Sequence, residues 1–567
     1  MIILGISAYD ENSSACLVIN GKLMCALEEA RVRRCAGWAG LPVEAVKACL
    51  AYCHFDLKDV DLIAVGRDPH ANMRLKVATL RGEKITLELL KDRLGFGTKL
   101  ADIKKDLCAA LERDMSAVKA RVRCVEHHKA HLAGAYLVSP HDSAICVSLD
   151  GFGDYVSGMR AAGVDNKIYD RDRCYYPHSL GMFYSAMAQF LGFGSWGGED
   201  RVMELSKTGR PEFEAELRQL IKPSADGFYR VDESYFAHGP ESAAMFWRDR
   251  APELPRLFAA KVEGLIGKPR EANEPLEQRH ADIAASAQAV FEEIFFHVLN
   301  SAYEKYRNDK LCLSGGCARN ALAVGRICEK TRFRDVYVPP APHAGGTAIG
   351  AAYWIWNQAK GYRRSYELAN PYVGPHYDDS YVEALLKSRG LSYHKAAEKE
   401  IYETVAGTLS GGGKVGWFQG RSPWGAWPLG GRCLLSDPRV PVSRELEGGG
   451  AAVMDEKAAE WFETVRPSPF MAKAPRVRPA RRDQVPGLPG GETPRVQTVS
   501  WEFNHRFYAL LEAFDRRVGV PMLVSAPLLA GEPLPVTPEQ ALECFEVSGA
   551  ALLAINNFLV TPLKDKR

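Results

Sequence analysis

The sequence predicts an α/β protein whose N-terminal domain is a duplicated nucleotide-binding fold. Three loops point to this class: two polar turns between predicted strands, at 7–14 and 150–154, and a glycine pair between a strand and a helix, at 314–320. Glycines let backbone amides approach an anion, and the N-terminus of a helix carries partial positive charge. In this order the loops favour the actin/hexokinase-like (ASKHA) fold, and plain tight turns are the alternative interpretation.

The elements of this domain follow from apolar periodicity. Asn20 and Gly21 between two apolar runs are a strong hairpin signal. Helical spacing or short buried runs indicate the other elements. Strand signals lie at 2–8, 14–19, 22–28, 62–65, 122–126, 144–150, 155–162 and 310–314, and helices are predicted at 42–53 and 283–306. Residues 72–121 and 200–306 are predicted to be mainly helical.

Length and composition limit the class of protein. At 567 residues the chain is too long for one ordinary domain, and 46% hydrophobic with 25% charged residues is typical of a globular protein. Lys and Arg number 72 against 70 Asp and Glu, without a basic block, so we expect no nucleic-acid partner. The start of the chain lacks a signal-peptide pattern and no apolar run approaches a membrane span. With 14 cysteines scattered singly, a cytoplasmic protein without membrane contact is expected.

A change in composition near residue 360 predicts a domain boundary. Residues 361–375, rich in Gly, Pro, Tyr and Arg, are expected to form a linker. We therefore predict one domain at 1–360 and a second α/β domain at 375–567. Its predicted helices lie at 402–409, 506–517 and from Pro538, its strands at 414–418, 522–525 and 551–556, and a long loop at 467–494.

Two histidines and an aspartate form a candidate metal site. His127 and His131 are four residues apart, so on a helix both imidazoles project from one face and reach one ion. Asp150, at the end of a predicted strand, is the candidate third ligand. Two nitrogens and a carboxylate oxygen suit iron, manganese or zinc and leave positions open for a substrate oxygen. The alternative is that His128 and a neighbouring histidine form ordinary hydrogen bonds on a helix surface.

A series of short motifs runs through both predicted domains in a fixed order. In the first domain these are His-x-x-x-His, Leu-Asp-Gly-x-Gly, Pro-His-Ser-Leu-Gly, Gly-Glu-x-x-Val-Met, Ser-Gly-Gly-Cys-Ala-x-Asn and Gly-Thr-Ala-Ile-Gly-Ala-Ala, at 127–131, 149–153, 177–181, 198–203, 314–320 and 346–352. In the second domain they lie at 416–421, 436–439, 496–500 and 531–533. In this order the motifs resemble the NodU/TobZ type of O-carbamoyltransferases, as a divergent member, and the resemblance spans almost the full length.

The resemblance implies a definite activity. Such enzymes have an N-terminal domain of the type that makes the threonylcarbamoyl modification of tRNA. A YrdC-like domain follows it. The YrdC-like domain forms carbamoyl adenylate from ATP and carbamoyl phosphate, and the first domain moves the carbamoyl group to a hydroxyl or amine of a small natural product. A bound metal assists, with iron favoured and manganese or zinc as alternatives, and Mg²⁺ accompanies ATP. The implied metal ligands are His127, His131 and Asp150, and the implied nucleotide-binding residues are Ser13, Gly151, Gly153, Asp154, Gly315, Gly316 and Asn320.

Two departures from the family pattern lie in the first domain. Glu11 stands where the family has a histidine, so a candidate catalytic acid or base has changed type. Ala344 stands where the family has a further aspartate ligand, and it cannot coordinate a metal. The adjacent His343 is the candidate substitute ligand.

The second domain departs more strongly, with degenerate anion-binding motifs. The family's Gly-Pro-Arg-Ala-Leu-Gly-Asn-Arg segment has lost one arginine and keeps Arg432, and two further family segments are absent around 447–450 and 524–529. Binding ATP with carbamoyl phosphate requires several cationic donors in a fixed array. The remaining candidate anion contacts are Lys414, Arg421, Arg432 and Arg439, each of which is equally open to interpretation as a solvated charge. We therefore expect weak adenylation or none.

Three functions remain to be distinguished. The leading hypothesis is metal-assisted carbamoyl transfer to a small-molecule acceptor. The second is a repurposed homologue without adenylation chemistry that performs another acyl transfer or ligation, or supports a paralogue partner. The third, a tRNA-modifying protein, is disfavoured by the absent basic surface. An acceptor pocket is expected in the insertions at 72–120 and 200–300, and a homo-oligomer is compatible with the sequence.

Overall fold

The computed structural model of the chain describes residues 1–76, 99–194, 197–237, 254–441, 443, 446, 448–463 and 467–562. The strands are β1 (Ile2–Ser7), β2 (Ser14–Ile19), β3 (Lys22–Glu28), β4 (Leu62–Val65), β5 (Arg121–Cys124), β6 (Ser143–Gly153), β7 (Val156–Val164), β8 (Lys167–Tyr175), β9 (Ile221–Pro223), β10 (Tyr229–Val231), β11 (Lys310–Ser314), β12 (Asp335–Tyr337), β13 (Tyr393–Lys395), β14 (Val415–Phe418), β15 (Arg432–Ser436), β16 (Gly450–Met454), β17 (Val496–Val499), β18 (Met522–Pro527), β19 (Leu552–Ile555) and β20 (Phe558–Val560).

The α-helices are α1 (Glu29–Arg33), α2 (Val43–Tyr52), α3 (Ile103–Ala110), α4 (His127–Tyr136), α5 (Leu180–Phe190), α6 (Gly198–Ser206), α7 (Glu214–Leu217), α8 (Glu263–Ile266), α9 (Gln278–Tyr306), α10 (Ala321–Gly325), α11 (Ile327–Lys330), α12 (Thr347–Tyr353), α13 (Asp379–Ser388), α14 (Glu398–Ser410), α15 (Ala458–Trp461), α16 (His505–Val518) and α17 (Pro538–Val547). Among the shorter turns, a 3-10 helix at Gly316–Arg319 matters for the site.

The chain divides into two compact units. The first contains residues 1–24 and 37–367, and the second contains residues 25–36 and 368–567. No pattern in the sequence indicates that residues 25–36, early in the chain, group with the C-terminal part. Within the described ranges, none of the helices combines the length and the apolarity needed to span a bilayer.

The two main sheets of the first unit repeat one topology. Their strand orders are β3-β2-β1-β4-β5 and, read from the far edge, β8-β7-β6-β11-β12. In the first sheet β1 is antiparallel to β2 and parallel to β4, and β4 is parallel to β5. In the second sheet β6 is antiparallel to β7 and parallel to β11, and β11 is parallel to β12. Two copies of the same mixed sheet confirm the predicted duplicated fold of the actin and hexokinase class.

The helix after the last strand of each half packs at the centre of the first unit. α4 follows β5, and α12 follows β12 at the equivalent place. A Cβ on Gly350 would lie 1.8 Å from the carbonyl oxygen of Ala130, and one on Gly134 would lie 3.1 Å from that of Gly346. A side chain at Gly350 would therefore force the two helices apart. This close packing fixes the helix that carries both candidate histidine ligands.

Most predicted elements of the first unit agree with the structure, and one loop differs. β2 and β3 have the predicted bounds, whereas the predicted turn at 150–154 belongs largely to β6, which continues to Gly153. The pairing of β6 with β7 shifts register between Leu149 and Gly153. Such a bulge turns side chains away from the regular alternation, which here affects Asp150. Of the predicted helical insertions, residues 77–98 and 238–253 lie outside the described residues.

The second unit is an α/β structure, as predicted. Its eight-stranded mixed sheet has the order β13-β20-β19-β14-β15-β18-β16-β17. The core contains large buried aromatic side chains, among them Trp417, Trp461, Phe507 and Phe514. The central strand β14 is parallel to β19 and antiparallel to β15, so the predicted strands at 414–418 and 551–556 are neighbours.

Residues 25–36 are tied into the second unit by a buried arginine. Nε of Arg31 donates to Oε2 of Glu28 at 3.2 Å, and its two Nη atoms donate to the carbonyl oxygens of Pro423 and Gly425. Both members of the Arg31–Glu28 ion pair are almost completely buried. Removing one partner of a buried pair leaves an uncompensated charge, which is strongly destabilising.

We expect Arg31→Met to lower the free energy of unfolding of the second unit by about 3–5 kcal/mol. Arg516→Met is the matched control, because Arg516 forms an exposed ion pair with Glu512 at 3.0 Å, and such pairs contribute about 0–1 kcal/mol. Urea unfolding of the full chain measures both. Equal shifts in the two variants would contradict the role given to Arg31.

Candidate functional site

His127 and His131 lie on the first two turns of α4, as the sequence predicts. The helix begins here because the side chain of Glu126 caps it, accepting from the backbone N–H groups of His128 at 3.2 Å and Lys129 at 2.9 Å. Residues four apart on a helix share one face, so the two imidazoles point in the same direction. Both rings are buried.

The side chains of His127, His131 and Asp150 converge on one point. Nε2 of His127 lies 3.0 Å from Nε2 of His131, and these atoms lie 3.1 and 2.9 Å from Oδ2 of Asp150. Among the described residues this is the group of His, Cys, Asp and Glu side chains arranged to hold a metal ion. We refer to these three residues as the triad.

The triad fits a divalent cation. Ligands about 2.1 Å from one ion and about 90° apart lie about 3.0 Å from one another. The two ring nitrogens and the carboxylate oxygen are therefore close enough to coordinate one cation together. Burial opposes ionisation of Asp150, but its hydrogen bonds with His127 and His131 hold its pKa well below the ordinary value. Burial lowers the pKa of His131, so a carboxylate and a neutral imidazole are available as ligands.

Backbone amides of two predicted nucleotide-binding glycines orient Asp150. The N–H of Gly151 donates to Oδ1 of Asp150 at 2.9 Å, and the N–H of Gly316 donates to the same oxygen at 3.0 Å. With Oδ1 held in this way, Oδ2 faces the histidines. The glycine-rich turn after β11 therefore serves the triad in this structure, in addition to the phosphate contact that the sequence predicts for it.

Two further predicted residues hold His127 in place. A Cβ on Gly153 would lie 2.0 Å from the His127 ring, so only glycine leaves room for that imidazole. Oδ2 of Asp154 accepts from the backbone N–H groups of His127 and Asp68, both at 2.8 Å. Asp154 thus fastens the start of α4 to the loop after β4.

His128 has a structural role. Its Nδ1 lies 2.6 Å from Oγ of Ser148 and its Nε2 lies 2.9 Å from the carbonyl oxygen of Val156, so both ring nitrogens have partners. Burial holds the pKa of His128 well below its ordinary value. Ordinary hydrogen bonding, the alternative considered for the histidine cluster, applies to this residue.

Asp10 and Arg67 support the triad from behind. Oδ2 of Asp10 lies 3.6 Å from Nδ1 of His127, the ring atom opposite the triad, and accepts from Nε of Arg67 at 2.8 Å. A separation of 3.6 Å is too long for a hydrogen bond, so Asp10 acts on His127 as a nearby negative charge that favours the protonated imidazole. Neither residue is among the site residues that the sequence predicts.

Glu11 lies in the loop between β1 and β2, with the triad among its charged neighbours. Burial raises the pKa of Glu11 to about 8; Arg319 opposes the rise, while Glu199, Asp10 and Asp150 add to it. Nη1 of Arg319 lies 3.6 Å from Oε1 of Glu11. The predicted acid or base is therefore close to the candidate metal site and holds its proton at neutral pH.

The other predicted residues of the first unit make local contacts. Oγ of Ser13 donates to the carbonyl oxygen of Asp10 at 3.0 Å. A Cβ on Gly315 would lie 2.1 Å from the carbonyl oxygen of Leu149, so Gly315 allows β6 to approach closely. Oδ1 of Asn320 caps α10 by accepting from Ala323. Nδ1 of His343 accepts from the N–H of Gly345 at 3.2 Å, and His343 is not among the converging triad atoms.

The predicted cations of the second unit are engaged by that unit. Arg432 is fully buried and donates to backbone carbonyl oxygens at 2.7, 2.8 and 3.0 Å, and burial lowers its pKa to about 9. Arg421 donates to two more, at 2.8 and 2.6 Å. Arg439 pairs with Asp437 at 2.6 Å, and Lys414 directly precedes β14. The arginines therefore have protein partners in the absence of any anion.

Some of the residues missed by sequence reasoning left a usable signal. Asp10 and Arg67 follow β1 and β4, which are parallel neighbours, and the carboxyl ends of such strands meet at one edge of a sheet, where ligands bind. Arg319 and Asp200 had no such signal, since their meeting depends on how α6 packs. Arg319 occupies the variable position of Ser-Gly-Gly-Cys-Ala-x-Asn.

Sequence comparisons cover nearly the whole chain. The family model for the carbamoyltransferase N-terminus matches residues 2–353, and the model for the carbamoyltransferase C-terminus matches residues 406–562. An uncharacterized protein of Synechocystis sp. is 31% identical, over 98% of this chain and 96% of that protein. Nodulation protein NolNO of Sinorhizobium fredii is 28% identical, over 98% of this chain and 79% of its own length.

Solved structures show only distant likeness. HypF of T. kodakarensis has a TM-score of 0.32 and 17% identity, with 64% of this chain aligned to 48% of that one, so this chain matches about half of the HypF chain. The ROK hexokinase of Thermus thermophilus has a TM-score of 0.30 and 11% identity, with 64% and 99% aligned. The two family models, matching both parts of one chain in order, decide the assignment: the chain belongs to the carbamoyltransferase family.

Proposed function

We propose that this enzyme transfers a carbamoyl group from carbamoyl adenylate, made from ATP and carbamoyl phosphate, to a hydroxyl or amine of a small natural product. The triad is the site of transfer and holds a divalent metal, with iron favoured over manganese or zinc. The observation that carries the proposal is the convergence of two imidazole nitrogens and a carboxylate oxygen within about 3 Å of one another. The proposed partner is a small acceptor, without nucleic acid or membrane.

The residues of the site divide the work of the reaction. When bound, the metal supplies positive charge that stabilises the oxygen of the carbamoyl carbonyl as the acceptor attacks. Gly151 and Gly316 keep Asp150 in position, and Asp10 places a negative charge near His127. The acceptor oxygen or nitrogen forms a bond to the carbamoyl carbon, the bond from that carbon to the phosphate oxygen breaks, and AMP leaves.

Glu11 is the proposed proton acceptor. As the new bond forms, the acceptor group loses its proton, which the ionised Glu11 carboxylate receives. A carboxyl with a raised pKa is a stronger base once ionised than an ordinary one, which suits this task near neutral pH. Its place beside Asp10 puts it in the same loop as the residue that supports His127.

Labelled carbamoyl phosphate tests the proposal. The protein is incubated with ATP, Mg²⁺, Fe²⁺ and a panel of small molecules that carry hydroxyl or amine groups, and label in the acceptor is measured. We expect labelled acceptor with the native protein and none with Asp150→Asn. Transfer by Asp150→Asn at the native rate, or no transfer to any acceptor even when carbamoyl adenylate is supplied, would contradict the proposal.

A second candidate function is a homologue that lacks adenylation chemistry and uses a ready-made donor or supports a paralogue. The arginines of the second unit favour it, because Arg421, Arg432 and Arg439 already donate to protein oxygens. Binding ATP with carbamoyl phosphate would have to break these contacts, and each charge-assisted hydrogen bond lost weakens the complex.

Pyrophosphate release separates the two candidates. The leading function requires pyrophosphate release that depends on carbamoyl phosphate, whereas the second candidate, favoured by the engaged arginines, requires slow or absent release. The matching control omits carbamoyl phosphate and reports background ATP hydrolysis. Brisk release that depends on carbamoyl phosphate would show that the second unit retains adenylation and would remove the second candidate.

The rate of transfer should depend on pH through Glu11. The pKa of its carboxyl is raised to about 8, so the group is protonated below that pH and able to accept a proton above it. We expect kcat to rise with pH and to level off above about pH 8, and Glu11→Gln to lower kcat by about 100-fold and remove the rise. Glu304→Gln, at an exposed position, should keep the native profile.

Metal affinity should depend on the triad. We expect Asp150→Asn and His131→Ala to weaken binding of Fe²⁺ or Mn²⁺ by more than about 100-fold, since even residues behind the ligands contribute about 10- to 100-fold. Anaerobic titration calorimetry measures this, with circular dichroism as the check on folding. His394→Gln, an exposed histidine of the second unit, should bind normally. Undiminished binding by both triad variants would exclude the triad as the metal site.

A further inference from the structure

Two charged residues meet beside the triad at positions that the family motifs leave open or occupy differently. Glu11 replaces a family histidine, and Arg319 fills the variable position of Ser-Gly-Gly-Cys-Ala-x-Asn. Nη1 of Arg319 lies 3.6 Å from Oε1 of Glu11, and its Nη2 lies 2.6 Å from Oδ2 of Asp200. One guanidinium therefore joins two carboxylates from different parts of the first unit.

The backbone around Arg319 is well fixed. Arg319 ends the 3-10 turn Gly316–Arg319, and the N–H of Gly316 at its start donates to Asp150. Asp200 lies in the first turn of α6, where a carboxylate is favoured by the helix dipole. The three side chains are 19–29% exposed, which leaves them partly shielded from solvent and accessible to a substrate.

Glu11 needs such a cation to keep its orientation. Its neighbours Glu199, Asp10 and Asp150 are all acidic, and burial adds to their effect. Nδ2 of Asn12 donates to Oε1 of Glu11 at 3.0 Å, which is a neutral contact from the adjacent residue. Arg319 is the cation that opposes this acidic surrounding, while Arg67 pairs with Asp10.

We propose that Arg319 is a positioning residue for catalysis: anchored by Asp200, it holds the carboxylate of Glu11 towards the acceptor beside the triad. The inference rests on the proposed role of Glu11 in proton transfer. In this proposal Arg319 acts through Glu11 and has no direct part in the reaction. The Asp200–Arg319–Glu11 chain thereby takes over, in this protein, the place of the histidine that the family pattern has in the first loop.

A double-mutant cycle tests the proposal in the full-length, metal-loaded enzyme. Arg319→Met should lower kcat for carbamoyl transfer by about 100-fold, the loss expected from a misplaced catalytic group, and leave the KM for the donor unchanged. In the Glu11→Gln background the same substitution should cause no further loss, because it acts through Glu11. Arg319→Lys should restore part of the rate. Arg332→Met, which removes an exposed ion pair with Glu304, is the matched control and should be neutral.

Three results would overturn the inference. Additive losses in the double mutant would show that Arg319 acts independently of Glu11. A raised donor KM with unchanged kcat would make Arg319 a contact of the donor phosphate. A crystal structure of Arg319→Met in which the Glu11 carboxyl keeps its native position would show that Arg319 does not position Glu11. The crystal structure is informative even if the native protein transfers no carbamoyl group, so failure of this inference is separable from failure of the proposed function.

Discussion

The candidate site of the first unit depends on one shared carboxylate oxygen. Oδ2 of Asp150 lies 3.1 and 2.9 Å from the Nε2 atoms of His127 and His131. The surroundings hold these side chains in place. Oδ1 is held by two backbone amides, the His127 ring fills the space that only Gly153 leaves open, and the start of α4 is fastened by Asp154. The three ligand atoms are thereby held in an arrangement that one cation would fit.

The duplicated fold explains why residues far apart in sequence meet there. The triad histidines lie on the helix after the fifth strand of the first half, whereas Asp150 lies in the last part of the first strand of the second half. The amide of Gly316, after the fourth strand of that half, completes the environment of Asp150. The glycines of α4 and α12 let the two helices approach closely, so the positions of the two half-sites are coupled. A substitution such as Gly350→Leu would disturb the triad without touching it.

The balance of charges around the triad determines how its neighbouring side chains ionise. Carboxylates outnumber cations around the triad, and the rise in the pKa of Glu11 to about 8 is the measurable result of burial among other acids. The two arginines have separate tasks, Arg67 beside Asp10 and Arg319 between Asp200 and Glu11. In the second unit the predicted site residues are cations. Arg421 and Arg432 donate to backbone carbonyl oxygens, and the anions predicted to bind there are substrates.

The sequence by itself determined the α/β class, the duplicated fold, the carbamoyltransferase family and the helix that places His127 and His131 on one face, because apolar periodicity and residue spacing are local properties. It also marked Asp150, although the bulge that turns this side chain arises only from pairing with β7. Only the tertiary structure decided that residues 25–36 join the second unit, that Arg67 and Asp10 stand behind His127, and that Arg319 meets Glu11 and Asp200. These contacts join residues tens to hundreds of positions apart. Parallel neighbouring strands bring Asp10 and Arg67 to one edge of a sheet, but the contacts themselves depend on how the elements pack.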